Sequence, residues 1–329
     1  MERMEPPGLQ NVRRRVLTEQ IRQLDPDVIA IQEANPLPAF IDTLARDLRM
    51  DAVAHVGLAG VRIGRLGIPA NLRQGDAILA RRGLQLRFIA RRRLTGGYCG
   101  NTLSLNWTDA SQVLGASIVR DGRTLCLFAT HWVSSPYLEF IEALGATPAS
   151  HGFSERQIRY GHALSARRAW QRDQSAQTSI SFIDRIAAQV PAVFMGDFNT
   201  ESHLPEIQYL QTVGRFSDSH GRATPDMAAR SSWDPARNQN QIVCYSGDYL
   251  PTRSGRREDF YYWAFQEFNR QPRRIDFVFT RGGVSAWGYR IVLEEPIGGV
   301  HASDHFGVLA EVEFDSAGSP GSGTMESGR

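Results

Sequence analysis

Lysine is absent from the chain: all 37 basic side chains are arginine. That removes any lysine nucleophile, Schiff base or phosphate clamp, and with it the Walker-type NTPases and pyridoxal enzymes. Codon bias in a GC-rich genome accounts for the skew without appeal to function. Cysteine is scarce as well. Cys99, Cys126 and Cys244 are odd in number, far apart and without a CxxC pair. A disulfide framework and a cysteine zinc site are therefore not expected, and a reducing cytoplasm is the expected compartment. No apolar run approaches the roughly 18–20 residues of a membrane span. The opening Met1-Glu-Arg-Met-Glu-Pro-Pro-Gly8 lacks the hydrophobic core of a signal peptide. Strong net charge is missing too, since 37 arginines against 35 acids leave +2. A histone-like polycation is excluded, whereas a local basic groove is not.

What is present suffices for one large core or two small ones: 329 residues, 42% hydrophobic and 22% charged. Without an internal repeat or a linker-like stretch, the chain reads as one domain. Apolar positions at Val16, Leu17, Ile21 and Leu24 predict a helix over 12–24 with Asn11 as its N-cap. Pro36 opens a second helix with Leu37, Phe40, Ile41, Leu44 and Leu48 on one face. Between them Val28–Ile31 reads as a buried strand running into Glu33. Further strands are expected at Ala77–Ala80, Leu84–Ala90, Val113–Val119, Thr124–Thr130, Ala192–Met195, Ile275–Thr280, Trp287–Leu293 and Phe306–Phe314. The stretch 137–189 is helical in pattern, interrupted from Gly145 to Gly152. Residues 214–272 are polar, aromatic and irregular, which suggests long surface loops over a site. More strands than helices, several of them ending on polar residues, predict a mixed α/β fold with two packed sheets rather than a βαβ alternation.

Five of these strand regions deliver chemistry. Glu33 follows Val28–Ile31, His131 follows Leu125–Thr130, and Asp197 with Asn199 follow Ala192–Met195. Asp276 lies in Arg273-Arg-Ile-Asp-Phe-Val-Phe279, and Asp304 with His305 precede Phe306–Ala310. A carboxylate beside an apolar strand is costly unless a cation or hydrogen bonds compensate. Oxygen ligands of this kind suit Mg²⁺ or Mn²⁺ rather than zinc, and the two histidines can handle protons near neutral pH. Taken singly, each has an ordinary explanation: a turn for Asp197-Phe-Asn199, a loop or cap pair for Asp304-His305, an arginine partner for Glu33. Their joint order carries the argument.

That order and the local words resemble the endonuclease/exonuclease/phosphatase superfamily, with its deoxyribonuclease-I-like fold. Asp27-Val-Ile-Ala-Ile-Gln-Glu33 is similar to its first metal block and Gly75-Asp-Ala-Ile-Leu-Ala80 to its Gly-x-Ala-Ile-Leu-Ser strand. Thr130-His131 is similar to the catalytic histidine block, and Gly196-Asp-Phe-Asn-Thr200 to Gly-Asp-x-Asn. Arg274-Ile-Asp-Phe277 and Ser303-Asp-His305 match the last two. Ser232-Trp-Asp-Pro235 with Asn240 leans to the sphingomyelinase-like, phosphodiesterase branch. The resemblance covers roughly residues 12–314.

The resemblance implies a four-layer α-β-β-α sandwich of two packed mixed sheets, forming one catalytic domain over residues 1–314 with 315–329 as a disordered tail. It also implies a divalent-metal-dependent phosphoester hydrolase working as a monomer on a nucleic acid, a phospholipid or a small phosphodiester. Glu33, Asp197, Asn199 and Asp304 would hold Mg²⁺ or Mn²⁺. Asp197 and Asn199 would also position water and phosphoryl oxygens. His305, oriented by Asp276, would act as general base or stabilise charge, and His131 would meet a phosphate oxygen or the leaving group. With no covalent nucleophile in sight, direct water attack is expected. A Mg²⁺-dependent nuclease and an inactive phosphate-binding member are the competing functions.

Two departures stand out. The family ordinarily opens with a strand ending in an Asn near the metal, and here the first strand is expected to be missing, or to lie upstream. Gln74 stands where relatives often carry Glu. Arg91–Arg93 and Arg253, Arg256 and Arg257 could bind phosphates or form a solvated face. Trp132 and Trp233 are read as core rather than stacking platforms.

Overall fold

The structure, a computed structural model, describes residues 7–35, 37–58, 61–63, 66–67, 74–95, 103–105, 111–146, 152–238, 240 and 255–315. Its helices are α1 (Pro7–Leu24), α2 (Leu37–Leu48), α3 (Leu138–Gly145), α4 (Glu155–Ala187), α5 (Pro205–Thr212), α6 (Pro225–Ala228) and α7 (Asp259–Asn269). The first strands are β1 (Val28–Ala34), β2 (Met50–Leu58), β3 (Val61–Ile63), β4 (Leu66–Gly67), β5 (Gln74–Arg81), β6 (Arg87–Arg93) and β7 (Leu103–Leu105). They continue as β8 (Gln112–Arg120), β9 (Arg123–His131), β10 (Ala192–Asp197), β11 (Ser217–Asp218), β12 (Asp276–Arg281), β13 (Val284–Val292) and β14 (Gly307–Phe314).

The central sheet has six strands in the order β11-β12-β10-β9-β8-β6. β10 runs parallel to β9 and antiparallel to β12. It is buried along its whole length, as a strand covered on both faces must be. Cys126, Phe128, Phe194, Phe277 and Phe279 project from one face into a core with Ala176, Ile180 and Ile183 of α4 and Ile207 and Leu210 of α5. From the other face Leu114, Ala116, Leu127, Ala129, Val193 and Met195 meet Ile78, Ala80, Val28, Ala30 and Val53 of the sheet β1-β5-β2. The outer side of that second sheet receives Leu37, Ile41, Leu44 and Ala45 of α2. Helix, sheet, sheet, helix is the four-layer α/β sandwich with mixed pairing that was expected. β13 and β14 form a separate antiparallel pair, and β3, β4 and β7 a small sheet of their own.

The elements depart from the sequence expectations in instructive places. α1 starts at Pro7, so Asn11 lies inside the helix and does not cap it. Pro36 itself lies outside the described residues. β6 starts at Arg87 instead of Leu84, because Leu84 is buried in the preceding turn and its carbonyl accepts Val119 N at 2.8 Å. β13 begins at Val284, directly after Gly282 and Gly283, whose positive φ angles of 77° and 91° make the hairpin turn. Within 214–272 the aromatic run is not a loop: α7 buries Phe260, Tyr261, Ala264 and Phe268. β2 was not anticipated at all. Residues 316–329, expected as a tail, and residues 147–151 of the interrupted stretch lie outside the described residues.

One buried ion pair anchors the segment that follows β10. Arg172 of α4 donates its Nε to Glu206 Oε1 at 2.8 Å, and Thr200 Oγ1 donates to the same oxygen at 2.8 Å. All three side chains are out of solvent. Removing one charge would strand the other, so Glu206→Ala is expected to cost ~3–5 kcal/mol, whereas Arg172→Met with Glu206→Leu should recover most of it. Denaturant midpoints of the three proteins check this; a double variant as unstable as Glu206→Ala would mean that shape, not charge, sets the requirement.

Candidate active site

Strand register builds the site. Gln112, His131, Asp197 and Asp276 are successive Cα partners across β8, β9, β10 and β12. Partners on neighbouring strands share a face, and this row lies on the face that looks toward β1-β5-β2. The row is kept level by Gly196. It pairs with Thr130, its φ is +142°, and a Cβ there would run into the Thr130 carbonyl. Beyond it Phe198 drops into the core, while Asp197 Oδ1 accepts Asn199 N at 2.7 Å. That short turn holds Asn199 at a left-handed φ of 50°, a conformation Asn tolerates better than most residues. The Asn199 amide donates to Asp197 Oδ2 at 3.1 Å and to Trp132 O at 2.9 Å, which leaves its Oδ1 to meet a ligand.

His305 enters from the loop before β14. Its Nδ1 lies 2.8 Å from Asp276 Oδ2 and its Nε2 3.9 Å from Asp197 Oδ2. Burial works against its charge, but Asp276, Asp197 and Asp304 outweigh that and raise its pKa well above the ordinary imidazole value. His131 faces the same carboxylate from the other side, with Nε2 3.6 Å from Asp197 Oδ2 and Nδ1 3.8 Å from Glu33 Oε1. Glu33 has a φ of 56° at a register irregularity between Ile31 and Ala34, which turns the end of β1 toward the site. Burial, and then repulsion from Asp276, push Asp197 up to about 6 against the pull of the two histidines.

The structure thus gathers Glu33, His131, Asp197, Asn199, Asp276 and His305. Asp304 sits at the rim: its side chain is 47% exposed and its Oδ1 is 3.9 Å from Arg13 Nη2. Burial alone would raise its pKa, yet His305 and Arg13 hold it below the usual carboxylate range. Trp132 and Trp233 are both buried, as read; Trp233 sets its edge against the His305 ring, with centroids 4.9 Å apart. Of the arginine clusters, Arg256 and Arg257 are exposed, and Arg253 lies outside the described residues.

Sequence reasoning gave no site role to Asp76, Gln112 or Asn238, and noted Ser232 and Asn240 only as part of a family segment. Asp76, on β5, is buried beside the row; Gln112 Nε2 donates to its Oδ2 at 2.9 Å and to His55 O at 3.0 Å. Burial lifts Asp76 to about 6, opposed by His131 and by that hydrogen bond. Asp76 precedes its apolar run Ala77–Ala80, whereas Glu33 and Asp197 follow theirs, so the signal that found those two passed it over. Ser232 Oγ accepts the backbone N–H of both Ile275 and Asp276 at 3.2 Å, and its carbonyl accepts Phe306 N at 2.7 Å. Asn238 and Asn240 donate to Ser303 O at 3.0 and 2.9 Å. The Ser232-Trp-Asp-Pro235…Asn240 segment is therefore the brace that holds Asp276 and the Ser303-Asp-His305 loop in register.

A hard divalent cation fits this donor set. Asp197, Asp276 and His305 each place one atom within 4.8 Å of the others, but Asp276 and His305 are engaged with each other at 2.8 Å, which leaves Asp197 with Glu33 and Asn199 as the oxygen donors. Crowded, buried carboxylates gain from such a charge, and oxygen donors are what it prefers.

Two packed sheets with this constellation at their strand ends define a deoxyribonuclease-I-like hydrolase architecture. Residues 5–305 match the Endonuclease/Exonuclease/phosphatase family, and the chain belongs to it. Its members hydrolyse phosphoester bonds with a divalent metal, and the chain is an enzyme of that class. Among solved structures it resembles an endonuclease/exonuclease/phosphatase from Bacteroides vulgatus, at 16% identity and a TM-score of 0.56 over 93% of this chain and 91% of that one. D. rerio TDP2 complexed with a single-strand DNA product is similar at 16% and 0.57 over 94% of each chain. A mannosyl-6-phosphatase from Bacteroides thetaiotaomicron is similar at 14% and 0.56 over 93% and 92%. No curated protein matches the sequence. Among the described residues no helix is long and apolar enough to cross a membrane.

The raised Asp76 carboxyl yields a stability test with a definite sign. Folded, it titrates near 6; unfolded, near the ordinary 3.8. The folded state binds the extra proton, so this group's contribution to stability falls as pH rises through that window. Asp76→Asn, which keeps an acceptor for Gln112, should raise Tm at pH 7–8, and the gain should fade by pH 4. A gain that is constant with pH would assign the effect to packing.

Proposed function

We propose that the chain cleaves a phosphate ester by direct attack of water, with Asp197 receiving the water proton as the new P–O bond forms. Asn199 orients the attacking water by accepting a hydrogen bond from it through the Oδ1 that its amide leaves open. His305, kept cationic between Asp276 and Asp197, stabilises the negative charge that develops on the phosphoryl group. His131, on the opposite side of Asp197, donates a proton to the leaving oxygen as its bond to phosphorus breaks. The observation that carries this reading is the in-register row of His131, Asp197 and Asp276 bridged by His305. Phosphoryl transfer needs positioning and charge stabilisation more than covalent chemistry, and this arrangement supplies both.

Magnesium or manganese bound by Glu33, Asp197 and Asn199, with Asp304 at the rim, would neutralise charge on the phosphoryl oxygens. The oxygen donors suit either ion. The enzyme works as a monomer in this reading, and the sparse cysteines suit a reducing cytoplasm. A phosphodiester is the favoured substrate class.

A panel of bis-p-nitrophenyl phosphate, plasmid DNA, RNA, sphingomyelin and phosphoinositides, each with Mg²⁺, tests the activity. Hydrolysis of at least one, abolished by chelator, is the expected result; full activity in excess EDTA would remove the metal from this account. His305→Ala should lower kcat by ~10²–10⁴-fold, the usual value of a lost acid–base or charge-stabilising group. Asp276→Asn should give a smaller loss, and the double variant should be little worse than His305→Ala because the pair acts as a unit. Losses that multiply instead would show that Asp276 serves the fold and not the imidazole.

A further inference from the structure

The row that forms the site continues one strand further, to an arginine. Arg93 is the Cα partner of Gln112, itself the partner of His131. Arg93 and Arg91 thus belong to the face that carries Gln112, His131, Asp197 and Asp276, and Arg92 between them belongs to the opposite face. Both are half-buried, whereas Arg92 is exposed. Arg91 donates Nη1 to Gln112 Oε1 at 3.3 Å, which ties it to the amide that also holds Asp76. Two strand spacings, about 9–10 Å, separate the Arg93 backbone from that of His131. The acids near the site, Glu33, Asp76, Asp197 and Asp276, lie on β1, β5, β10 and β12. An edge strand gains from charges that discourage pairing, but that need is met from either face and asks for no alignment with His131.

We infer that Arg91 and Arg93 form an anion subsite for a second phosphate of the same substrate, the next phosphate of a nucleic-acid backbone whose neighbour is cleaved at His131 and His305. This rests on the phosphoester reading above and narrows it, because a substrate with two phosphates one linkage apart engages both ends of the row. A cation facing a phosphate at a partly desolvated edge is a strong contact. It discriminates between substrates that do and do not carry the second group.

The test uses two substrates that differ only there: the p-nitrophenyl ester of thymidine 5′-phosphate, and the same ester with a 3′-phosphate. With Mg²⁺ the wild-type protein should prefer the second by ~10-fold or more in kcat/KM, the scale of one charge-assisted contact. Arg93→Gln should abolish that preference while leaving the one-phosphate ester within about twofold. Arg92→Gln, on the other face, should change neither. Absence of a wild-type preference, an equal loss on both esters in Arg93→Gln, or the same effect from Arg92→Gln would overturn the subsite. A preference for phosphatidylinositol bisphosphate over phosphatidylinositol in vesicles, with none between the nucleotides, would overturn the nucleic-acid assignment. Equilibrium binding of thymidine 3′,5′-bisphosphate against thymidine 5′-phosphate separates this idea from its parent. If neither ester is hydrolysed, tighter binding of the bisphosphate that Arg93→Gln removes still supports the subsite, and equal binding ends it.

Discussion

Strand register is the constraint on which the rest of this molecule depends. Backbone hydrogen bonds between β8, β9, β10 and β12 bring Gln112, His131, Asp197 and Asp276 to one level, and none can move without shifting a whole ladder. Like charges would separate if they sat on flexible loops. Here two carboxylates are held on adjacent strands, and the repulsion appears as an Asp197 carboxyl raised to about 6 and an imidazole at His305 held cationic. The core provides the rigidity that this requires. Phe198, between Asp197 and Asn199, is fully buried and packs against Phe194, Phe277 and Phe279. One alternation thus sends the chemistry to one side and the anchor to the other.

The polar groups that end apolar runs were legible because a charge beside a buried strand needs a reason. Glu33, His131 and Asp197 close β1, β9 and β10 and were found that way. Antiparallel pairing hides the others. β5, β8 and β12 run against these strands, so their site ends are their starts, and Asp76 and Gln112 precede the apolar run instead of following it. Asp276, also at a strand start, was found as a polar group in an apolar strand region and again in the word Arg274-Ile-Asp-Phe277. α7 was illegible for a different reason. Asp259–Asn269 is rich in aromatics of modest helix propensity, and packing of Phe260, Ala264 and Phe268 overrides it. Asn11 misled in the opposite direction: a good capping residue says nothing when Pro7 has already started the helix four residues earlier.

The residues that brace the site are polar, buried and remote in sequence, and periodicity cannot find these. Ser232 touches no substrate position, yet its hydroxyl and carbonyl join the start of β12 to the start of β14. Asn238 and Asn240 repeat the device on the Ser303 carbonyl. Buried backbone groups must find partners, and in irregular loops side-chain amides and hydroxyls provide them. The brace explains how a loop as short as Ser303-Asp-His305 can carry a group that must stay within hydrogen-bonding distance of Asp276.

The two faces of the site divide the electrostatic work. On the β12 side, acids outnumber bases and His305 is drawn into the cationic form; this side suits a phosphoryl group gaining charge in the transition state. On the β6 side, Arg91 meets the acids through Gln112, a neutral amide that accepts from the arginine and donates to Asp76. The intervening amide hydrogen-bonds both side chains and stands between the two charges.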